Sequence, residues 1–119
     1  MKILVKRIYD DPDPKDGMRI LVDRLWPRGL SKENAKIDVW LKSVAPSGAL
    51  RKWYGHDVGK WAEFKKRYFL ELDASSEAVN ELLGYVKEGG AAFLYAAKDT
   101  EHNNAAALKE YIEGYQDRR

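Results

Sequence analysis

Apolar residues recur along the chain at two different spacings, and each spacing predicts one kind of secondary structure. Residues 2–9 form a β-branched run bounded by turn residues, which predicts a strand. Residues 18–25 predict a second strand, with apolar side chains on both faces as in a sheet that helices cover. Residues 91–97 are an unbroken apolar run between Gly-Gly and Lys-Asp, which is typical of a central parallel strand.

Between and after these strands the apolar residues follow helical spacing. That spacing predicts helices over residues 31–44, 60–72, 76–87 and 103–115, and a short helix that begins after Ser47. The order of strand, strand, several helices, strand and helix allows parallel pairing through a helical crossover. We therefore predict an α/β fold, with a small mainly parallel sheet, helices packed on it, and a single compact domain over residues 1–119.

Composition narrows the class of protein further. The 119 residues are 45% apolar and 34% charged, which excludes a disordered chain that could not bury enough apolar surface. The absence of cysteine excludes disulfides, thiolate catalysis and zinc sites built on sulfur. No apolar run is long enough for a signal peptide or a bilayer-spanning helix, so we expect a cytoplasmic protein that does not contact membranes.

Aspartates and prolines fill residues 10–17, which predicts a loop between the first two strands. A calcium-binding loop would need an acidic ligand where Lys15 stands and a glutamate where Val22 stands. We therefore expect a proline-rigid turn in solvent. No metal site and no cofactor are predicted, because the chain has only two histidines and lacks the known nucleotide-loop and catalytic motifs.

The first candidate binding segment follows the second predicted strand and reads Asp23-Arg24-Leu25-Trp26-Pro27-Arg28-Gly29. Ligands of open α/β sheets bind beyond the carboxyl ends of the strands. The planar guanidinium groups of Arg24 and Arg28 suit a phosphate or carboxylate, and Trp26 offers a face for a ring. The structural alternative is that Arg24 pairs with an aspartate while Trp26 fills the core.

The second candidate segment lies between the last strand and the last helix. A helix start presents free N–H groups to an anion, and the amides of Asn103 and Asn104 could add donors. His102 can act as an acid or a base near neutral pH, and Asp99 could orient its ring. The structural alternative makes Thr100 or Asn103 the helix cap and leaves His102 as an exposed loop residue.

The two segments meet only if the second and third predicted strands are parallel neighbours. They would then form one pocket that holds Asp23, Arg24, Arg28, Asp99, His102 and Asn103. We predict that this pocket binds a phosphate-bearing or other anionic small ligand. Whether the pocket also converts that ligand is left as an alternative. Arg24 and Arg28 would clamp the anion, Asp23 would orient an arginine, and Asp99 with His102 would be the catalytic pair. Whether the protein is an enzyme stays open.

A second function class stays open because basic and aromatic residues alternate elsewhere. Arg51-Lys52-Trp53-Tyr54 with His56, and the following stretch 65–68, could hold nucleic acid by phosphate contact and stacking. The structural alternative is that the aromatic side chains pack in the core while the neighbouring basic side chains extend to solvent. The net charge of +2 is too small for a dedicated nucleic-acid binder, and a protein-interaction module is the further alternative. The oligomeric state is not predicted.

Several motifs resemble those of the YeaO-like family, a domain of unknown function numbered 488. They are the segment 16–29 with its Asp-Arg-Leu-Trp-Pro-Arg-Gly end, Trp40-Leu41-Lys42, Ala45-Pro46-Ser47, Leu50-Arg51-Lys52-Trp53, the stretch 94–99, and His102-Asn103. The resemblance covers nearly the whole chain. It implies a small cytoplasmic α/β domain with no established activity, and it carries over no catalytic residue.

Overall fold

A computed structural model describes residues 2–117, with side chains through residue 115. Its centre is a four-stranded sheet in the order β1-β4-β2-β3. The strands are β1 (Ile3–Arg7), β2 (Met18–Leu21), β3 (Val39–Trp40) and β4 (Ala91–Tyr95). Every neighbouring pair is parallel. This arrangement confirms the predicted α/β fold with a small parallel sheet.

Five helices and three short 3₁₀ turns complete the described chain. The helices are α1 (Lys32–Ala35), α2 (Gly48–Tyr54), α3 (Trp61–Asp73), α4 (Ser76–Lys87) and α5 (Asn104–Asp117), and the turns are Pro14–Asp16, Lys42–Val44 and Val58–Lys60. The Ser47 hydroxyl accepts a hydrogen bond from the Leu50 N–H, as the predicted cap of α2 requires. Among residues 2–117, no helix combines the length and the apolar character needed to cross a bilayer.

The two faces of the sheet are covered by unequal layers. On one face, alternate β4 residues such as Phe93 pack with the apolar sides of α2, α3, α4 and α5. On the other face, Leu21, Ala92 and Leu94 pack in a smaller cluster with Ala35 of α1, Ile8 and partly buried residues of the neighbouring strands and loops. Strand side chains alternate between faces, so the unbroken apolar run of β4 matches its burial on both sides.

The predicted helix over residues 31–44 is wrong. Helix α1 ends at Ala35, and Lys36 adopts a left-handed conformation with φ of +49°. The chain then pairs with β2: the Asp38 N–H donates to the Arg19 carbonyl, and the Leu41 N–H donates to the Leu21 carbonyl. Pairing with β2 therefore overrides the helical spacing of the apolar residues, and Val39–Trp40 form strand β3.

The predicted solvent turn at residues 10–17 needs a correction at its end. The turn forms around Pro14–Asp16, but Asp16 is only 2% exposed. Its carboxylate accepts hydrogen bonds from Lys6 Nζ at 2.8 Å and from Arg19 Nη1 at 2.6 Å. Gly17 follows with φ of +67°, where an added Cβ would lie 2.7 Å from the Gly90 carbonyl oxygen. The turn is therefore packed tightly against the start of β4.

Candidate functional site

A cavity of about 390 Å³ opens at the carboxyl ends of the central strands. Its walls are Tyr9, Asp23, Arg24, Leu25, Trp26, Pro27, Arg28, Pro46, Arg51, Tyr54, His56, Phe64, Ala96, Ala97, His102, Asn103 and Asn104. Strands β2 and β4 are parallel neighbours, with Leu21 opposite Leu94. The condition for the two predicted segments to meet is thus fulfilled, and both contribute to one cavity.

Asp23 lies on the floor of the cavity, one residue beyond the last backbone bond between β2 and β4. Its carboxylate accepts hydrogen bonds from the Ala96 N–H at 2.9 Å and from Asn104 Nδ2 at 3.0 Å. Burial raises the pKa of Asp23, although these two bonds and the charge of Arg51 act in the opposite direction. Asp23 therefore ties β2, β4 and α5 together at the cavity.

Arg24 and Arg28 stand at the two ends of the loop that forms one wall, and both are exposed to solvent. Arg24 Nε donates to the Pro46 carbonyl at 3.1 Å. Among the described side chains, Asp23 does not orient an arginine through a hydrogen bond as predicted, and Arg24 does not pair with an aspartate as the alternative required. The carbonyl of Arg28 accepts a bond from the Tyr9 hydroxyl at 2.9 Å, which fixes the backbone there.

Trp26 anchors the middle of this loop and also lines the cavity. Its indole N–H donates to the Leu30 carbonyl at 2.6 Å, and its ring meets Trp40 edge to face with centroids 5.2 Å apart. The Trp40 indole N–H in turn donates to the Asp23 carbonyl at 2.7 Å. The two tryptophans thereby hold the backbone on both sides of Arg24 in place.

Asp99 and His102 form the pair that the sequence suggested. His102 Nδ1 lies 3.1 Å from Asp99 Oδ2, and the imidazole meets the Trp61 ring edge to face. The other Asp99 oxygen accepts the backbone N–H groups of Glu101 and His102, each at 2.9 Å. These bonds, led by the one from the His102 N–H, hold the pKa of Asp99 below its usual range. His102 lines the cavity, whereas Asp99 stands behind it.

The amides of Asn103 and Asn104 are engaged within the protein. Asn103 Oδ1 accepts the Ala106 N–H at 2.8 Å as the cap of α5, while its Nδ2 donates to the Asp99 carbonyl. Asn104 Nδ2 donates to the Val22 carbonyl and to Asp23. Both residues line the cavity, but their amide groups shape the wall rather than point free donors at a ligand. This changes the role expected of them from the sequence.

Sequence reasoning missed four residues of the opposite wall, namely Arg51, Tyr54, His56 and Phe64. The first three belong to the stretch considered above for nucleic acid. The signal that could have found them is the alternation of Ile37, Val39 and Leu41, which is typical of a strand. A strand there would have placed the following segment at the same sheet edge as the other two.

Sequence reasoning also missed Arg7, a residue of β1 that supports the cavity. Its guanidinium donates from Nε to the Ala97 carbonyl at 2.9 Å and from Nη2 to the Ala96 carbonyl at 3.0 Å. Ala96 and Ala97 both line the cavity. Arg7 therefore holds the two residues that follow β4 through their carbonyl groups.

Positive charge dominates the cavity. Three arginines and both histidines of the chain line it, against the single carboxylate of Asp23. Among the side chains that the structure describes through residue 115 and the described backbone, the guanidinium groups of Arg28 and Arg51 have no hydrogen bond and no close ion pair. In the same part of the chain, no three acidic or histidine side chains are grouped as a metal site would require. The arrangement suits an anion.

Comparison with known proteins identifies relatives along the full length. Residues 2–119 match the model of a family described as the inactive DUF488-N3 subclade. The chain is 39% identical over 112 residues to the uncharacterized protein YeaO of Escherichia coli, covering 94% of this chain and 97% of that protein. It is 38% identical over 113 residues to the uncharacterized protein Rv3073c of Mycobacterium tuberculosis, covering 95% of each. No solved structure matches significantly.

Proposed function

The chain belongs to the inactive DUF488-N3 subclade of the YeaO-like proteins, and we propose that it binds a phosphate-bearing small molecule in its cavity without converting it. The ligand class is the one predicted from the sequence, and of the two activities considered there we propose binding without turnover. The subclade is described as inactive, which supports a binding role. The ligand would sit beyond the carboxyl ends of β2 and β4, where parallel sheets receive ligands.

The observation that carries the proposal is that the guanidinium groups of Arg28 and Arg51 are not hydrogen-bonded to the described part of the protein. Both residues line the cavity, and neither guanidinium group has a hydrogen-bond acceptor among the side chains described through residue 115 or the described backbone. Arg24 adds a third guanidinium, whose Nε donates to the Pro46 carbonyl. An arginine fork matches phosphate oxygens with two parallel charge-assisted hydrogen bonds. Three such groups around one cavity favour an anionic ligand over a neutral one.

The size and lining of the cavity agree with a small molecule. Ligand cavities commonly span roughly 300–1,000 Å³ and combine apolar walls with a few polar groups. This one measures about 390 Å³, and Tyr54 and Phe64 supply apolar surface opposite the arginines. The ring centroids of these two residues are 4.6 Å apart, and Phe64 also stacks on Trp61. The aromatic wall is thus packed from behind.

Turnover by His102 is the second candidate function, and the contact between His102 Nδ1 and Asp99 favours it. A histidine oriented in this way could transfer a proton through its other ring nitrogen. The nucleic-acid alternative has less support. Trp53 is flanked by Arg67, 4.2 Å from the ring centroid, and by Lys60, so its faces are engaged within the protein rather than free to stack on bases.

The proposal is tested by titration calorimetry of the purified protein with inorganic phosphate, sugar phosphates, nucleotides, and a 12-mer single-stranded oligonucleotide at two salt concentrations. We expect saturable binding of at least one phosphate compound, with a thermal midpoint raised by about 10 °C at 100 times its dissociation constant. Arg51→Gln should weaken that binding at least tenfold. Lys52→Gln is the matched control, since it removes the same charge one residue away and outside the cavity.

Four outcomes would contradict the proposal. The absence of binding by every small phosphate compound would refute it outright. Equal loss in Arg51→Gln and Lys52→Gln would show attraction to overall charge rather than to the cavity. Release of free phosphate or another product during incubation, lost in His102→Gln, would replace binding by turnover. Preference for the oligonucleotide, lost at high salt, would instead favour the nucleic-acid function.

A further inference from the structure

A tight turn follows strand β1 and carries Tyr9. The Ile8 N–H donates to the Tyr95 carbonyl at 2.8 Å, so the start of the turn is still bonded to β4. The Asp10 N–H donates to the Arg7 carbonyl at 3.0 Å and closes the turn, in which Tyr9 takes the third position. The backbone that carries Tyr9 is therefore held by the sheet.

The ring of Tyr9 lies against a fixed cation. The guanidinium group of Arg7 is over this ring, 5.0 Å from its centroid. That group is itself held in place, because it donates to the carbonyls of Ala96 at 3.0 Å and Ala97 at 2.9 Å. A cation at this distance attracts the face of an aromatic ring. The contact therefore favours one orientation of the Tyr9 side chain, although the residue is 41% exposed.

The Tyr9 hydroxyl reaches from this turn to the loop that carries Arg24 and Arg28. It donates to the Arg28 carbonyl at 2.9 Å. The next residue, Gly29, has φ of +71°, a conformation that glycine adopts without strain. The bond from Tyr9 therefore holds the loop at a corner where a Cβ added to Gly29 would meet no atom within 4 Å.

The side chain of Arg28 gives this bond a consequence for the ligand. Arg28 is exposed and lines the cavity, and through residue 115 the described side chains and backbone offer its guanidinium no acceptor. A guanidinium that binds a phosphate loses conformational freedom. This loss is smaller when the backbone that carries the side chain is already fixed.

We propose that Tyr9 is a positioning residue of the cavity, whose hydroxyl holds the backbone of Arg28 so that the guanidinium group can bind the ligand phosphate. The inference rests on the proposed function and adds a residue that acts through Arg28 rather than on the ligand. Tyr9 also lines the cavity, so a direct contact between its hydroxyl and the ligand is the alternative.

A double-mutant cycle of Tyr9→Phe and Arg28→Gln separates the two. Calorimetry measures the affinity of each variant for inorganic phosphate, glucose 6-phosphate and AMP. For at least one of these compounds, we expect Tyr9→Phe to weaken binding about threefold and Arg28→Gln about tenfold. The double variant should bind as weakly as Arg28→Gln alone, because no guanidinium is then left to position. Independent effects would instead multiply to about thirtyfold.

Tyr85→Phe is the matched control. It removes a tyrosine hydroxyl that donates to Glu81 on the surface of α4, and Tyr85 is not part of the cavity wall. Affinity should be unchanged in this variant. Tyr9→Phe keeps the ring over Arg7 and removes only an exposed hydroxyl, so we expect it to fold, and an unchanged thermal midpoint checks this.

Independent effects in the double variant would overturn the inference, because Tyr9 would then act without Arg28. Unchanged affinity in Tyr9→Phe or in Arg28→Gln, or an equal loss in Tyr9→Phe and Tyr85→Phe, would also overturn it and leave the binding of a phosphate compound standing. If none of the three compounds binds the parent protein, the inference fails. Failure of every phosphate compound in the calorimetry of the proposed function would refute that function as well.

Discussion

The two ends of strand β2 hold arginines in opposite circumstances. Arg19, near the start of the strand, is 6% exposed and donates to Asp16, to the Ala35 carbonyl and to the Lys36 carbonyl. Arg28, in the loop beyond its end, is exposed, and its guanidinium has no acceptor among the side chains described through residue 115 or the described backbone. A guanidinium whose donors are all used inside the protein stabilises the fold. One left free beside a cavity is available to a ligand.

The aspartates at the two ends of β2, Asp16 and Asp23, differ in the direction in which their pKa values are shifted. Burial acts to raise the pKa of Asp16, but the bonds from Lys6, the Asp13 backbone and Arg19 outweigh it and lower that pKa. At Asp23 burial is the stronger effect and the pKa is raised. The charged form is therefore favoured by the partners at Asp16 and disfavoured by burial at Asp23.

The largest effect is expected from Arg19→Gln. The variant leaves Asp16 without its buried partner, and removal of one member of a buried ion pair costs about 3–5 kcal/mol. Urea unfolding of the variant and the parent protein measures the difference. Ligand affinity should be unchanged at temperatures where the variant is folded. A loss of stability below 1 kcal/mol would show that this end is not the structural one.

The next effect is expected from Arg51→Gln, and it concerns binding rather than stability. Affinity for the phosphate ligand should fall at least tenfold, equivalent to about 1.4 kcal/mol, while the free energy of unfolding changes by less than about 0.5 kcal/mol. Calorimetry and urea unfolding on the same preparation separate the two quantities. Destabilisation as large as that of Arg19→Gln would erase the distinction between the buried Arg19 and the arginines of the cavity.

A smaller effect is expected from Trp26→Phe, which keeps a ring in the loop and removes the indole N–H that donates to Leu30. Loss of one such bond costs about 1 kcal/mol. Because the loop carries Arg24 and Arg28, ligand affinity should fall as well. Trp53→Phe is the control, since its indole N–H donates to no acceptor among the side chains described through residue 115 or the described backbone. Equal effects of the two variants would rule out a specific anchoring role.

The smallest effect is a difference in pH dependence between Asp16→Asn and Asp23→Asn. The contribution of ionised Asp16 is fully present above the ordinary aspartate pKa of about 3.9 and is lost as the pH falls through its lowered folded value. Burying ionised Asp23 costs stability above its raised folded pKa, and this cost is relieved as the pH falls toward about 3.9. On acidification, the stability of the parent protein relative to the variant should therefore fall for Asp16 and rise for Asp23.

Urea unfolding between pH 3 and pH 7 measures both profiles. Slopes of the same sign would contradict the opposite environments assigned to the two carboxyl groups. The comparison uses each variant against the parent protein at the same pH, so that the titration of other groups affects both equally.

Local pattern was enough to predict several elements. Helix Ser76–Lys87 was predicted with its observed bounds, because its apolar residues keep helical spacing up to the glycines that follow Glu88. The central strand was predicted because Ala91–Tyr95 is apolar on both faces. Strand Val39–Trp40 was not, because its pairing with β2 depends on residues about twenty positions earlier in the chain. That one error also concealed the wall formed by Arg51 and His56.

The sequence by itself determined which residues could form a site at the carboxyl ends of the strands, since strand ends and turn residues are local features. Only the tertiary structure decided which charged groups are free. Arg24 donates a hydrogen bond to the Pro46 carbonyl, and Asn104 donates one to Asp23. Arg7 donates to the Ala97 carbonyl just after β4, ninety residues away. The sequence does not show these partners, because hydrogen bonds between distant segments form only when packing brings the donors and acceptors together.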